Sequence, residues 1–191
     1  MLYIPVANMG GQYNHLIVRM LLELGVRSEL IPFTTPLEEL ERKGVDGYVL
    51  GGGPWRIHEA LDKLAPLTDV IRRASFPILG ICLTHQLLAC AYGGSAGPAG
   101  RPEYGPVIVY VDEEDDILRS MPKRFRAWGS HNDEVKSLPS GFRAIAHSKY
   151  CRVEAMANTS LQRYGVQFHP EVIQTVGGRW IFRNFIEVCC S

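Results

Sequence analysis

A cysteine lies where the sequence predicts a sharp turn from a buried strand into a helix. The apolar residues 76–79 predict the strand, a Gly-Ile-Cys corner follows at 80–82, and an apolar helical run then extends to the glycine pair at 93–94. The unpaired N–H groups at a helix start favour a thiolate, which is the nucleophilic form of a thiol. Cys82 is therefore a candidate nucleophile, and a buried structural cysteine is the alternative if no base accompanies it.

A base with its own orienting group lies near the end of the chain. His169 and Glu171 flank Pro170 in the segment YGVQFHPEV. Proline biases the residue before it towards an extended backbone, in which side chains two residues apart point to the same side. We therefore expect Glu171 to hold one imidazole nitrogen of His169 while the other nitrogen faces the Cys82 thiol. The remaining histidines are interpreted as ordinary surface or core residues: His15, His58, His85, His131 and His147.

Predicted strands and helices alternate in the first half of the sequence. Four apolar runs predict strands at residues 2–7, 29–33, 46–50 and 76–79. Helices are predicted between these runs: from a possible N-cap at Asn14 to Gly25, after a capping box with proline at the first helical position at 35–38, and over 57–71 despite Pro66. This alternation is typical of a parallel sheet covered by helices on both faces.

The second half has a different pattern. A stretch punctuated by glycine and proline at 97–102 predicts a flexible segment. Short β-rich runs follow at residues 107–111, 124–128, 142–146, 152–155 and 165–168, and a closing helix is predicted over 180–188. We therefore predict an α/β fold with a mostly parallel central sheet, helices on both faces and a smaller β-rich portion in the second half.

Two of the predicted loops are expected to meet. The glycine loop at 51–54 and Cys82 both follow predicted parallel strands. Because sites in such sheets form at the carboxyl ends of the strands, we expect the loop and the cysteine to face one pocket.

The composition excludes several classes of function. The chain has 191 residues, enough for one domain, 1–191, with a proper hydrophobic core. Its 20 basic and 20 acidic residues give a formal net charge of zero, which argues against binding of nucleic acid or of an anionic membrane surface. The N-terminus has no basic leader, and no run approaches the roughly 20 apolar residues of a membrane span. We expect a soluble cytoplasmic protein.

The five cysteines form no recognisable framework. They have no CxxC pair and no repeated spacing, their number is odd, and two of them are adjacent: Cys82, Cys90, Cys151, Cys189 and Cys190. This pattern argues against disulfides and against a zinc site, so no metal is expected in this chain. Reduced thiols in a reducing compartment fit the pattern best.

The two motifs together resemble those of a known enzyme family. Cys82 in GICLTHQ and the pair in FHPEV resemble, in chain order and separation, the triad of class I glutamine amidotransferases. Further segments extend the resemblance over nearly the whole chain: GGQY at 10–13, TTPLEEL at 34–40, GGGP at 51–54 and SHNDEV at 130–135. SHNDEV and GGQY narrow the resemblance to the glutaminase part of GMP synthetases.

The resemblance implies a role for each residue of the triad. Cys82 would attack the side-chain amide of glutamine and form a γ-glutamyl thioester, and His169, oriented by Glu171, would protonate the departing ammonia and then activate water. The backbone N–H groups of Leu83 and Gly53 would meet the oxyanion, because the proline that follows Gly53 cannot donate a hydrogen bond.

The resemblance also implies a site for the amino-acid end of glutamine. The residues that would position it are Gln86, Ser130, Asn132 and Asp133. From the residues alone, Gln86 is equally well interpreted as a polar helix residue, and the Asn-Asp pair as an ordinary turn.

One position departs from the family pattern. The family usually has a glycine two residues after the cysteine, whereas this chain has Thr84. Either the hydroxyl of the threonine caps the helix start, or its β-branched side chain crowds the pocket and slows turnover. We expect activity to survive because Cys82, His169 and Glu171 are all present.

The sequence contains no nucleotide-binding motif of a synthetase. The resemblance therefore implies a separate ATP-pyrophosphatase subunit, which would use ATP and magnesium to aminate XMP to GMP with ammonia from L-glutamine. No cofactor is expected in this chain, and neither nucleic acid nor a membrane is an expected partner.

Two other functions are compatible with the sequence. An amidotransferase subunit of another biosynthetic enzyme, or a γ-glutamyl hydrolase, would use the same triad. A regulatory glutamine-binding module without catalysis belongs to a different class, and Thr84 is the one feature that favours it. The identity of a bound synthase tests the first alternative, and the reactivity of Cys82 towards a glutamine-mimicking electrophile tests the second.

Overall fold

The computed structural model describes residues 1–190, in which strands and helices alternate as far as residue 91. The strands are β1 Val6–Asn8, β2 Leu30–Pro32, β3 Tyr48–Leu50, β4 Ile78–Ile81, β5 Ser95–Val111, β6 Arg124–Ser137, β7 Arg143–Ser148, β8 Ala155–Asn158 and β9 Arg163–Val166. The α-helices are α1 Asn14–Glu23, α2 Leu37–Arg42, α3 Ile57–Ala60, α4 Ala65–Arg73, α5 Leu83–Ala91 and α6 Gly178–Val188. A short 3₁₀ helix covers Asp116–Leu118.

All of these strands belong to one mixed sheet. Their order is β2-β1-β3-β4-β9-β8-β7-β5-β6. Neighbours from β2 to β9 pair in parallel, and neighbours from β9 to β6 pair in antiparallel fashion. The first four strands and the last one, β9, thus form a parallel half, and β5 to β8 extend it as an antiparallel half. The sequence predicts a β-rich second half but not its antiparallel pairing.

Helices cover both faces of the sheet and enclose two hydrophobic cores. Side chains alternate along β3, so that Tyr48 and Leu50 enter one core and Val49 enters the other. Apolar residues of α2, α3, α4 and α5 complete the first core, and those of α1 and α6 complete the second. The predicted fold class, with helices on both faces, is confirmed.

Three local predictions for the first half are wrong in detail. The helix predicted over 57–71 is two helices, because Pro66 lies in the first turn of α4, where a missing N–H costs no hydrogen bond. The N-cap of α1 is Tyr13, and Asn14 is the first helical residue. The predicted capping box does not form, because the Thr35 hydroxyl donates to the Pro32 carbonyl and Pro36 is the N-cap.

The antiparallel half is more regular than the sequence indicates. The glycine- and proline-rich stretch at 97–102 lies within β5, where the pairing with β6 shifts register between Pro98 and Glu103. β6 continues beyond Trp128 to Ser137, and Asn132 and Asp133 therefore lie in a strand and not in a turn. Hydrogen bonds to the partner strand override the local turn preference of these residues.

The boundaries of the last two strands also differ from prediction: β8 is Ala155–Asn158 instead of 152–155, and β9 is Arg163–Val166 instead of 165–168. An apolar pattern does not predict the start of β9, because Arg163 is charged. The Arg163 side chain is buried, and its guanidinium donates hydrogen bonds to the carbonyls of Ile71 and Phe76, which explains how a charge fits there.

None of the helices in residues 1–190 has the length and apolar character that a membrane span requires. The single domain predicted for 1–191 stays a prediction, and its last residue, Ser191, lies outside the described part of the chain.

Candidate active site

Cys82 occupies a strained corner between β4 and α5. Its backbone has φ 57° and ψ −108°, in the region that residues with a side chain rarely adopt. At this corner the start of α5 lies so close to β4 that a Cβ on Gly80 would be 2.7 Å from the Thr84 carbonyl oxygen. Cys82 is 7% exposed, and its thiol lies at the N-terminus of α5. The strand-to-helix corner predicted from the sequence is confirmed.

His169 and Glu171 form the predicted pair beyond the end of β9. The Nδ1 atom of His169 lies 2.8 Å from Oε1 of Glu171, and both side chains are buried. The backbone around the imidazole is fixed, because the His169 N–H donates to the Trp128 carbonyl and the Thr175 hydroxyl donates to the His169 carbonyl. Tyr13 packs edge-on against the imidazole, with 5.0 Å between ring centroids.

The charge of the imidazole follows from its neighbours. Burial disfavours the charged imidazole of His169. The Glu171 carboxylate and the Cys82 sulfur, both of which hydrogen-bond to the imidazole, outweigh burial and raise the pKa of His169 well above 6.5. The raised pKa favours the protonated imidazole, the form that can give a proton to a leaving group. The three side chains are thus connected in the order that a nucleophile, a base and an orienting carboxylate require.

The glycine loop after β3 lies against this group. A Cβ on Gly52 would be 3.2 Å from Cε1 of His169 and 3.6 Å from the Cβ of Cys82. Gly53 lies in the same cavity lining as Leu83, which is the first residue of α5 and whose N–H has no acceptor within the helix. The structure thus brings both predicted oxyanion donors to the cavity of Cys82, and their role stays a prediction.

β6 forms the opposite wall of the cavity. The Cys82 thiol lies 3.7 Å from the carbonyl oxygen of Ser130. The Gln86 amide donates a hydrogen bond to the Asp133 carbonyl at 2.7 Å, which joins α5 to β6. Asp133 is buried and its carboxylate accepts a hydrogen bond from the N–H of Ile57 at 2.9 Å.

One cavity of about 370 Å³ contains almost all of the predicted residues. Its lining includes Gly53, Cys82, Leu83, Gln86, Ser130, Asn132, Asp133 and His169. Glu171 is absent from the lining because it lies behind the imidazole. The volume is of the size that holds a small ligand such as an amino acid.

Several lining residues were not predicted as functional: Gln12, Tyr13, Asn14, Trp55, Arg56, Tyr104 and His131. Tyr13 and Asn14 follow the end of β1, and Arg56 follows the glycine loop, so the rule that sites form at strand ends would have found them. Arg56 places its Nε 3.1 Å from Oδ1 of Asp133 and brings a positive charge to the cavity. Tyr104 lies in mid-strand on β5 and has no comparable signal.

His85 is an ordinary core residue, as predicted. Its imidazole is fully buried, with Nε2 3.0 Å from the Val153 carbonyl oxygen. Burial lowers the pKa of His85 to about 3, so it stays neutral and packs against the sheet at Gly165.

Comparison with known proteins decides the family. The family model of the class-I glutamine amidotransferases matches residues 6–189. The chain belongs to this family. The family resemblance stated from the sequence is therefore confirmed, and the roles of Cys82, His169 and Glu171 stay predictions.

Relatives named for GMP synthesis align with nearly the whole length of this chain. The chain is 49% identical to a glutamine-hydrolyzing GMP synthase subunit of Methanocaldococcus jannaschii over 97% of both chains. It is 44% identical to the protein of the same name from Methanothermobacter thermautotrophicus over 100% of both. A solved structure named for a GMP synthase subunit from Thermoplasma acidophilum superposes with a TM-score of 0.94 at 41% identity, covering 100% of this chain and 94% of the other.

A more distant structure shows how far the fold extends. A glutamine amidotransferase from Thermotoga maritima has a TM-score of 0.77 at 23% identity, over 97% of this chain and 81% of the other. The mixed sheet of this amidotransferase is therefore shared beyond the relatives named for GMP synthesis.

Proposed function

We propose that this amidotransferase hydrolyses L-glutamine at Cys82 and delivers the ammonia to a separate subunit that aminates XMP to GMP. The convergence of Cys82 and His169 at one cavity, with Glu171 hydrogen-bonded to the imidazole, supports the glutaminase reaction. The relatives named as glutamine-hydrolyzing GMP synthase subunits, at 44–49% identity over nearly the whole chain, support the pathway.

The first half of the reaction forms a thioester. The Cys82 thiolate attacks the side-chain carbonyl carbon of glutamine, and the carbonyl oxygen becomes an oxyanion that accepts hydrogen bonds from the N–H groups of Leu83 and Gly53. The oxyanion then collapses and the C–N bond breaks. The protonated His169 donates its proton to the departing nitrogen, and ammonia leaves.

The second half of the reaction regenerates the thiol. Neutral His169 removes a proton from a water molecule, and the resulting hydroxide attacks the thioester carbonyl. The same two N–H groups stabilise the second oxyanion. Breakage of the C–S bond releases glutamate and leaves the sulfur as a thiolate beside the imidazolium, whose position Glu171 holds throughout.

The ammonia needs a confined route to its acceptor. Free ammonia is mostly protonated at neutral pH and is then not a nucleophile, so release into water would waste it. We propose that an ATP-pyrophosphatase subunit covers the cavity and supplies the ATP, magnesium and XMP chemistry. No cofactor is assigned to this chain, and its location in the cytoplasm stays a prediction.

The test is amination of XMP by the two subunits mixed together. With the ATP-pyrophosphatase subunit, ATP and magnesium present, glutamine is expected to support GMP formation only when this chain is added. Ammonium salt at high concentration is expected to support it without this chain, which shows that the partner is active. If ammonium supports GMP formation and glutamine plus this chain does not, the pathway assignment is wrong.

A further inference from the structure

Thr84, the second residue of α5, directs its hydroxyl away from the cavity. Its side chain is fully buried and does not line the cavity. The hydroxyl accepts a hydrogen bond from the Ile81 N–H at 2.8 Å and donates to the Leu50 carbonyl at 2.6 Å, with the Ile81 carbonyl a second acceptor at 3.0 Å. It caps no N–H of α5 and crowds no part of the pocket, so neither arrangement expected from the sequence occurs.

The hydroxyl lies at the end of the pairing between β3 and β4. These strands pair in parallel, with Tyr48 opposite Ile78 and Leu50 opposite Gly80. Tyr48 donates its N–H to the Pro77 carbonyl, and in the same register the Ile81 N–H faces the Leu50 carbonyl. The Thr84 hydroxyl lies between this donor and this acceptor and hydrogen-bonds to both. The hydroxyl therefore connects the end of β3, the end of β4 and the start of α5.

Both strand ends lead directly into the catalytic groups. Leu50 is followed by the glycine loop that contains Gly53, and Ile81 is followed by Cys82 and Leu83. The distance between the two strand ends therefore sets the distance between the two N–H groups proposed to meet the oxyanion.

We propose that Thr84 is a positioning residue, whose hydroxyl holds the ends of β3 and β4 against the start of α5 and so aligns the two oxyanion donors in the segments that follow. This proposal rests on the proposed glutaminase function. Because an oxyanion develops only during the reaction, loss of the hydroxyl should slow turnover and leave glutamine binding unchanged.

The test compares Thr84→Val, which keeps the shape and removes the hydroxyl, with Thr84→Ser, which keeps the hydroxyl. Assayed with the partner subunit, Thr84→Val is expected to lower kcat for glutamine hydrolysis by about tenfold or more at unchanged KM. Thr84→Ser is expected to retain most of the parental kcat. Thr68→Val is the matched control, because the Thr68 hydroxyl donates to a helix carbonyl, that of Leu64, away from the cavity.

A second readout separates positioning from a general structural role. Alkylation of Cys82 by iodoacetamide needs no oxyanion donors, so Thr84→Val is expected to react at the parental rate. Equal slowing of alkylation and turnover would show a disturbed nucleophile and overturn the proposal. If Thr84→Val fails to fold by circular dichroism, Thr84→Ala is measured in the same way, with the same expected result.

Cys82→Ala distinguishes failure of this proposal from failure of the proposed function. Hydrolysis of glutamine by Cys82→Ala at the parental rate would refute the proposed function itself. An inactive Cys82→Ala together with a folded Thr84→Val, or Thr84→Ala, of parental kcat would refute only the role of Thr84.

Discussion

The parallel and antiparallel halves of the sheet contribute different groups to the cavity. The parallel strands β3, β4 and β9 end beside it, and the segments that follow them carry Gly53, Cys82 and His169. β6 of the antiparallel half runs on past the cavity and presents Ser130 and Asp133 from the middle of a strand. A strand end offers free backbone N–H groups and a sharp corner, whereas a continuing strand offers a fixed row of side chains. We therefore expect changes in the parallel half to alter kcat, and changes on β6 to alter KM.

Glu171→Gln is expected to have the largest effect on the parallel half. It removes the carboxylate that orients His169 and raises its pKa, so less imidazolium remains at neutral pH to protonate the leaving ammonia. We expect kcat for glutamine hydrolysis to fall by about 100-fold or more, with a much smaller change in KM. Steady-state kinetics at several pH values measures this change. The control is Glu59→Gln, because the Glu59 carboxylate is exposed. Parental turnover of Glu171→Gln would contradict the proposed role of Glu171 in the triad.

Gly53→Ala is expected to have the next largest effect. The new Cβ would lie 2.8 Å from the Leu83 side chain and 3.1 Å from the Met9 carbonyl oxygen, so either the Leu83 side chain or the glycine loop must shift. We expect kcat to fall by about tenfold, because misplacement of one oxyanion donor weakens the stabilisation of the transition state. Gly97→Ala is the control, since a Cβ there meets no atom within 4 Å. Equal kinetics for the two variants would mean that the loop position does not limit catalysis.

Asp133→Asn tests the antiparallel half. The Asp133 carboxylate lies beside Arg56 and accepts a hydrogen bond from the Ile57 N–H, so it holds the N-terminus of α3 against β6. Asparagine keeps one acceptor oxygen and loses the charge, and we expect KM for glutamine to rise by about fivefold with little change in kcat. Asp69→Asn, at an exposed ion pair, serves as the control. A selective loss of kcat at Asp133 would contradict the division of roles between the two halves.

Glu154→Gln is expected to have the smallest effect on activity and a measurable effect on stability. Burial and the nearby Glu103 carboxylate raise the pKa of Glu154 well above 4.5, while hydrogen bonds from His131 and Ser148 offset burial and lower the pKa of Glu103. The folded protein must therefore keep a proton on Glu154 that the unfolded chain releases. The free energy of unfolding should fall as pH rises above about 4.5, and this loss ends at the raised pKa of the folded state.

Glutamine at position 154 is neutral at all pH values and removes this dependence. Urea unfolding between about pH 5 and pH 8 is expected to show a stability advantage of Glu154→Gln over the parent that grows with pH. Glu41→Gln, on the exposed side of α2, is the control. A pH-independent difference would mean that Glu154 is not protonated in the folded state.

The two halves also differ in how well the sequence predicts them. Cys82, His169 and Glu171 lie in short segments where a glycine corner or a proline fixes the local backbone, so their placement follows from neighbouring residues. The alternating pattern likewise predicts the parallel sheet.

The antiparallel half depends on contacts between distant residues. The hydrogen bond from the Ile57 N–H to Asp133 joins residues 76 apart, and no local pattern encodes it. The local pattern of residues 97–102 predicts a flexible segment, but their pairing partners on β6 make them a strand. The hydrogen bond from the Thr84 hydroxyl to β3 could not be predicted for the same reason, because its acceptor lies 34 residues earlier in the chain.

Labelling with a glutamine-mimicking diazo ketone tests the central claim, that Cys82 is the nucleophile for glutamine. Peptide mapping by mass spectrometry after incubation with the partner subunit is expected to show modification of Cys82 and none of the other four cysteines. Excess glutamine is expected to prevent the modification, and Cys82→Ala is expected to remain unlabelled. An unreactive Cys82 in a sample that still hydrolyses glutamine would contradict the account.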